Sequence, residues 1–212
     1  MTQTEKEKMM KRAIRLAQKA SRQGEVPVGA IVVSPDGEII GRGYNRRETR
    51  QSVIEHAELM AIQQACRKIG SWRLEDCDLY VTLEPCLMCS GAIIQSRIRH
   101  VYFGAADPKA GAVCSVTQMF DIPQWNHHPE YEGGILEEEC STMLKDFFRA
   151  RREEKKRLKM LKKLQESRQA QGDPNSSSME DQKPEGCCEC CSAMLENAST
   201  NRKTEDDESE KI

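Results

Sequence analysis

Met10, Ala13, Ile14, Ala17 and Ala20 recur at three- and four-residue intervals, which puts them on one face of a helix. Gly24 stands where a C-terminal cap belongs, so a helix is predicted from about Thr4 to Arg22. Val28 to Val33 and Glu38 to Gly43 read as two strands, joined by Ser34-Pro35-Asp36-Gly37, whose turn residues suit a hairpin. Helical spacing returns over His56 to Arg67, a buried strand over Leu79 to Leu83, a second helix over Cys86 to Ser96 and a further strand over His100 to Gly104. Strands alternating with helices predict an α/β layered domain. Ser115 to Ile135 shows little periodicity and many turn residues. Leu136 to about Arg168 resumes a strong helical pattern, with the folded domain expected to end near Arg152.

Charge divides the C-terminal third. Lys145 to Arg168 holds 11 Lys and Arg against 4 Asp and Glu, a balance of +7, whereas Gly172 to Ile212 has 4 against 11, a balance of −7. The acidic stretch is rich in Ser, Asn, Gln and Pro and nearly lacks large apolar residues, so residues 169–212 are expected to form a disordered tail after a folded domain at 1–152 and its helical extension. The opposed charges suggest a tail that folds over the basic helix and competes there with phosphates. The whole chain, at −2, has no field that would by itself draw in nucleic acid. Met1 to Lys11 is polar and charged, and no run approaches the ~18 to 20 apolar residues that span a bilayer, so a cytoplasmic protein with no membrane partner is expected. Ten cysteines in such a chain favour metal binding or free thiols over disulfides.

The cysteines that carry chemistry are Cys86 and Cys89, in Pro85-Cys86-Leu87-Met88-Cys89, thirty residues after His56-Ala57-Glu58. Three apart at a helix start, the two sulfurs share a face, and the positive end of the helix dipole favours their thiolates. Residues two apart on a regular helix diverge, so His56 and Glu58 converge only if His56 sits at or just before the N-cap. One imidazole and two thiolates leave the fourth tetrahedral position of Zn2+ open, as in catalytic rather than structural sites. Zinc lowers the pKa of a water there from ~15.7 towards ~7, and Glu58 is placed to take its proton and later to help protonate a departing amine. Alone, a C-x-x-C is often a structural or redox pair and an H-x-E often only a helix start. Together, in this order and with Pro85 in place, they form the zinc deaminase arrangement. Cys66, Cys77, Cys114 and Cys140 fall in apolar patterns and are expected to be small buried hydrophobes.

From about Glu5 to Arg152 the chain resembles the bacterial tRNA-specific adenosine deaminase family, within the cytidine deaminase-like superfamily. The resemblance rests on Glu25-Val26-Pro27-Val28-Gly29-Ala30, Tyr44-Asn45-Arg46, Val81-Thr82-Leu83-Glu84-Pro85-Cys86, Ser96-Arg97-Ile98, Phe103-Gly104-Ala105, Asp107 to Gly111, Asn126-His127, and Gly134-Ile135-Leu136 through Phe147-Phe148-Arg149. It implies a three-layer α/β/α fold with a mixed five-stranded sheet, one zinc per subunit, a homodimer with active sites near the subunit interface, and conversion of the wobble adenosine of a tRNA anticodon to inosine. It also implies that Asn45 contacts substrate and that Asp107 and Asn126 lie near anticodon nucleotides. The alternative for all three is turn chemistry.

An anticodon loop fits independently, because its bases are already unstacked and enter a pocket cheaply. Phe147, Phe148, Arg149, Arg151 and Arg152 combine rings with cations, a mixture suited to RNA. At least one of the two rings is expected in the core, and Arg149 and Arg152 on RNA. Two other functions remain open: deamination of free bases or nucleosides, and a zinc-stabilised RNA-binding module without catalysis. The tail lies outside the resemblance, and Cys187, Cys188, Cys190 and Cys191 within it are read as free thiols with opportunistic metal binding.

Overall fold

The computed structural model describes residues 2–170, with side chains described as far as residue 167. The chain divides into two units, Met1–Lys163 and Leu164–Ile212. Of the second, residues 164–170 are described; they are helical, with exposed side chains at 164–167. The acidic tail from residue 171 on, with Cys187, Cys188, Cys190 and Cys191, lies outside the described residues, as does the expected masking of the basic helix.

The first helix, α1 (Gln3–Arg22), opens on a capping box in which Thr2 and Glu5 satisfy each other's backbone N–H groups. It buries Met10, Ala13, Ile14, Ala17 and Ala20, the face anticipated from their spacing. The hairpin β1 (Gly29–Val33) and β2 (Ile39–Tyr44) follows, closed by Gly37, whose φ of 78° suits glycine. After a four-residue helix, α2 (Arg47–Arg50), come α3 (Ala57–Ile69), β3 (Asp78–Leu83), α4 (Leu87–Gln95) and β4 (His100–Ala105). A 3-10 turn at Met119–Asp121, a short β5 (Glu130–Glu132) and the long α5 (Glu137–Ala170) complete the order. The poorly periodic stretch therefore contains a strand. Its sequence, Glu-Tyr-Glu, has no apolar alternation, and it joins the edge of the sheet by pairing with β4.

The sheet order is β2-β1-β3-β4-β5. The pairs β1/β2 and β1/β3 are antiparallel, and β3/β4 and β4/β5 parallel, which makes the five-stranded sheet mixed. Alternate residues serve opposite faces, as strand geometry requires. Ala30, Val32, Leu79, Val81, Val101 and Phe103 pack under α3 and α4, while Ile31, Val33, Tyr80 and Tyr102 pack under α1 and the start of α5. The result is the expected three-layer α/β/α sandwich. Among the described residues, no helix is long and apolar enough to cross a membrane.

Two departures concern side chains expected inside. Cys77 and Cys140 are buried, but Cys66 is only partly so and Cys114 is exposed, next to the buried Val113 on the same loop. Phe147 is half-buried and Phe148 exposed; the rings pack edge to face on each other, centroids 5.5 Å apart. Neither reaches the core, because from Lys145 onward α5 presents nearly every residue to solvent.

Two close approaches set the geometry at the carboxyl ends of the strands. At Gly43 a Cβ would collide with the carbonyl of Ala57, in the first turn of α3, so glycine lets that turn lie directly on β2. At the end of β3, Glu84 is buried and gathers the loop that follows β4. Its Oε1 accepts from the amides of Val113, Cys114 and Ser115 at 3.1, 2.8 and 2.9 Å, and its Oε2 from the amide of Asp107 at 3.0 Å and from the Ser115 hydroxyl. Burial alone would raise the carboxyl pKa, but these donors, led by Cys114, outweigh it and hold the group at about 2.

Gly43→Ala should cost about 1–3 kcal/mol through overpacking, read as a lower urea midpoint at unchanged slope. For Glu84, a folded pKa below the ordinary 4.5 means stability that is present above that value and lost as pH falls towards about 2. Glu84→Gln should therefore be less stable than the parent near pH 7 by on the order of 3 kcal/mol, with the gap closing between pH 4.5 and 2. Urea unfolding across that range measures it.

Candidate active site

His56 and Cys86 occupy the N-cap positions of α3 and α4, each with extended backbone, and neither side chain makes a capping hydrogen bond. N-caps ordinarily carry Ser, Thr, Asp or Asn, whose oxygens take up the free amides of the first turn. Here the two caps turn towards each other instead. His56 Nδ1 lies 3.7 Å from Cys86 Sγ and 3.5 Å from Cys89 Sγ, the latter three residues into the same helix. The three donors lie within 4.8 Å of one another, in the only group of this kind among the described residues.

The donor set fits zinc. Ligand lengths of ~2.3 Å to sulfur and ~2.0–2.1 Å to imidazole nitrogen at a tetrahedral angle separate sulfur from nitrogen by about 3.6 Å. The observed 3.5 and 3.7 Å bracket that value. One borderline nitrogen and two soft sulfurs are also the chemistry zinc selects, and three protein donors leave a tetrahedral ion one position for a non-protein ligand.

Electrostatics divides labour within the group. A hydrogen bond from the Cys89 thiol, reinforced by His56, lowers Cys86 to about 4 despite its partial burial, and the same bond together with burial pushes Cys89 up. The hydrogen bond to Cys86 raises His56 above its usual range. Glu58, in the first turn of α3, is 4% exposed. Burial pushes its carboxyl up to about 7, against the opposing pull of its own backbone amide, and it hydrogen-bonds the Cys89 thiol. A carboxyl poised near neutrality beside a candidate metal site is able both to take and to give a proton.

The remaining predicted residues are placed more loosely. Asn45, at the end of β2, is buried. Its side-chain amide donates to Glu25 Oε2 at 3.2 Å, and Glu25 Oε1 accepts from the amide of Thr49 at 2.6 Å. Glu25, 0% exposed, was visible in the sequence only as part of a motif, and nothing in its spacing announced that it orients Asn45. Asp107 is engaged in turn chemistry: its Oδ1 accepts from the amides of Lys109 and Ala110 at 3.0 and 3.3 Å. Asn126 is exposed, and its main-chain carbonyl accepts from Arg97 at 2.6 Å. Arg149 and Arg152 are exposed on α5, and Arg149 pairs with Asp146 one turn earlier at 2.7 Å.

Comparison with known proteins agrees with this geometry. Residues 4–152 match the MafB19-like deaminase family. The chain is similar to the tRNA-specific adenosine deaminase of Bacillus subtilis, 50% identical over 153 residues, which span 72% of this chain and 94% of that protein. It is likewise similar to the tRNA-specific adenosine deaminase of Haemophilus influenzae, 48% identical over 157 residues, covering 74% and 91% respectively. A structure solved in biochemical and structural studies of A-to-I editing by tRNA:A34 deaminases at the wobble position of transfer RNA superposes with a TM-score of 0.62 at 44% identity, covering 64% of this chain and 98% of that one. With its mixed sheet, its two opposed helix caps and this similarity, the chain belongs to the tRNA-specific adenosine deaminase family.

Proposed function

We propose that the protein hydrolytically deaminates the adenosine at the wobble position of tRNA anticodons to inosine, with one zinc held by His56, Cys86 and Cys89. The observation that carries the chemistry is the meeting of these three donors at two helix N-caps, with a buried carboxyl beside them. The substrate assignment draws on the relatives named above. Zinc bound there would supply a water of lowered pKa at its fourth position. Glu58 takes one proton of the attacking water and passes it to the ring nitrogen beside the amine-bearing carbon; it then takes the remaining proton of the added hydroxyl and gives it to the amine, which leaves as ammonia while the carbonyl forms. Buried beside the three donors and outside the donor set, one carboxyl serves as base and then as acid.

We assign residues 1–152 to the deaminase domain, with the terminal helix running on to about residue 168; the family match over residues 4–152 supports these bounds. Asn45, Asp107, Asn126, Arg149 and Arg152 are assigned to RNA, Asp107 through the carboxylate oxygen its turn leaves over. A homodimer is supported by Val53 and Ile54, shortly before His56, by Leu87, directly after Cys86, and by Val116. These apolar side chains are 56–69% exposed and suited to cover by a second copy.

The deciding experiment incubates the zinc-loaded protein with an anticodon stem-loop bearing a wobble adenosine and scores inosine. The expected result is inosine at that position, with free adenosine turned over far more slowly. Comparable turnover of free adenosine would favour a nucleoside deaminase, and no product from zinc-loaded protein would overturn the substrate. Glu58→Gln should keep zinc and RNA binding while losing about 10²- to 10⁴-fold in rate. An unchanged rate in that variant would overturn the mechanism.

A further inference from the structure

Glu84 takes no part in the proton transfers assigned to Glu58, yet it is 2% exposed and both of its oxygens are in use. The loop it gathers does not stop at the carboxylate. The Ala112 amide donates to the carbonyl of Pro85 at 2.8 Å, and Gly111 forms an isolated backbone bridge with Cys86. Three consecutive residues, Glu84, Pro85 and Cys86, thus each hold the same loop, and the last is a candidate metal ligand. Upstream, the amide of Glu84 donates to the carbonyl of Ala105 at 2.8 Å, which ties the end of β3 to the end of β4. The loop is therefore clamped where it leaves the sheet and where it pairs with the Cys86 backbone.

Only a carboxylate of this length meets the demand. Oε1 faces three amides, and Oε2 faces the Asp107 amide and the Ser115 hydroxyl, so both oxygens must accept. At Gly111 a Cβ would collide with the Glu84 carboxylate, so the glycine is what allows loop and carboxylate to close together. The Gly111 amide in turn donates to the carbonyl of Asp107 at 2.8 Å and closes the turn in which the Asp107 side chain is engaged. Anything that displaces the carboxylate displaces this turn and the strand-like contact with Cys86 as one body.

We propose that Glu84 is a positioning residue for the deamination: by gathering residues 107–115 it keeps the Asp107 turn and the Cys86 sulfur in one fixed relation. The proposal rests on the function assigned above, with the 107–115 loop as a wall of the substrate site. In Glu84→Gln the amide oxygen can replace Oε1 and keep its three donors, but the NH2 group then faces the Asp107 amide, donor against donor. That variant loosens the Asp107 end selectively. Ser115→Ala removes one hydroxyl donor from the loop and leaves the carboxylate in place.

The test uses the full chain loaded with Co2+ for electronic absorption, and with zinc for kinetics on the anticodon stem-loop. Glu84→Gln is expected to retain one metal per chain, to shift the thiolate-to-cobalt absorption, and to lower kcat about tenfold with KM changed less than about threefold, since a small misplacement at a reacting centre is costly. Ser115→Ala should shift both readouts in the same direction, by less. A cobalt spectrum that is unaltered in both variants overturns the proposal and leaves Glu84 a support of the fold, seen only in melting temperature. Should Glu84→Gln fail to fold, the Ser115→Ala spectrum decides by itself. If the parent enzyme makes no inosine, the assigned function fails, and the cobalt spectra still decide whether Glu84 positions Cys86.

Discussion

Two helices begin at one point, and the rest of the site depends on it. His56 caps α3, Cys86 caps α4, and Cys89 lies one turn further on, so three donor atoms meet without any regular helix having to bring them together. The sheet makes the meeting possible. α3 lies on β2 and β1, with Gly43 letting its first turn settle on the strand, and α4 leaves the end of β3, next to β1 in the sheet order. Both helices therefore point their amino ends to the same edge of one core. A side chain at Gly43 would move the turn that carries His56 and Glu58 by more than a metal site tolerates.

The same arrangement sets the charges. Amide dipoles at two helix starts favour anions, which suits a thiolate at Cys86. Glu58 sits in the first turn of α3, but burial there outweighs the dipole and pushes its pKa up to about 7, while Cys86 is held at about 4. The thiolate is thus free to hold a metal, and the buried carboxyl is left to move protons. At the edge of the site Glu84 shows the opposite balance, a buried carboxylate kept charged because amides from a distant loop converge on it. Two glutamates, both nearly inaccessible, thus differ in character through hydrogen-bond supply and, at Glu58, through the charge of the neighbouring Cys86.

Much of this was legible from sequence. Met10 to Ala20 showed the buried face of α1, short apolar runs showed β1 and β3, and the H-x-E and P-C-x-x-C spacings located the donors and put His56 at the helix cap. The invisible parts share a cause: they rest on backbone groups or on partners far along the chain. β5 pairs through main-chain bonds with no apolar alternation to reveal it. The donors to Glu84 lie 23 to 31 residues later, and all but the Ser115 hydroxyl are backbone amides, which no side-chain pattern announces. Asp107 was readable equally as a contact or a turn residue, and the structure shows the turn. Cys114 and one of the rings Phe147 and Phe148 were expected inside from local apolarity, yet Cys114 is exposed beside the buried Val113, and α5 presents both rings' segment to solvent.

The central claim is a metal centre of one nitrogen and two sulfurs, and X-ray absorption at the zinc edge of the purified full chain tests it most directly. The account predicts one zinc per chain with two sulfurs at ~2.3 Å and the remaining ligands nitrogen or oxygen at ~2.0–2.2 Å. A first shell of four sulfurs, or a folded and active protein without zinc, would contradict it.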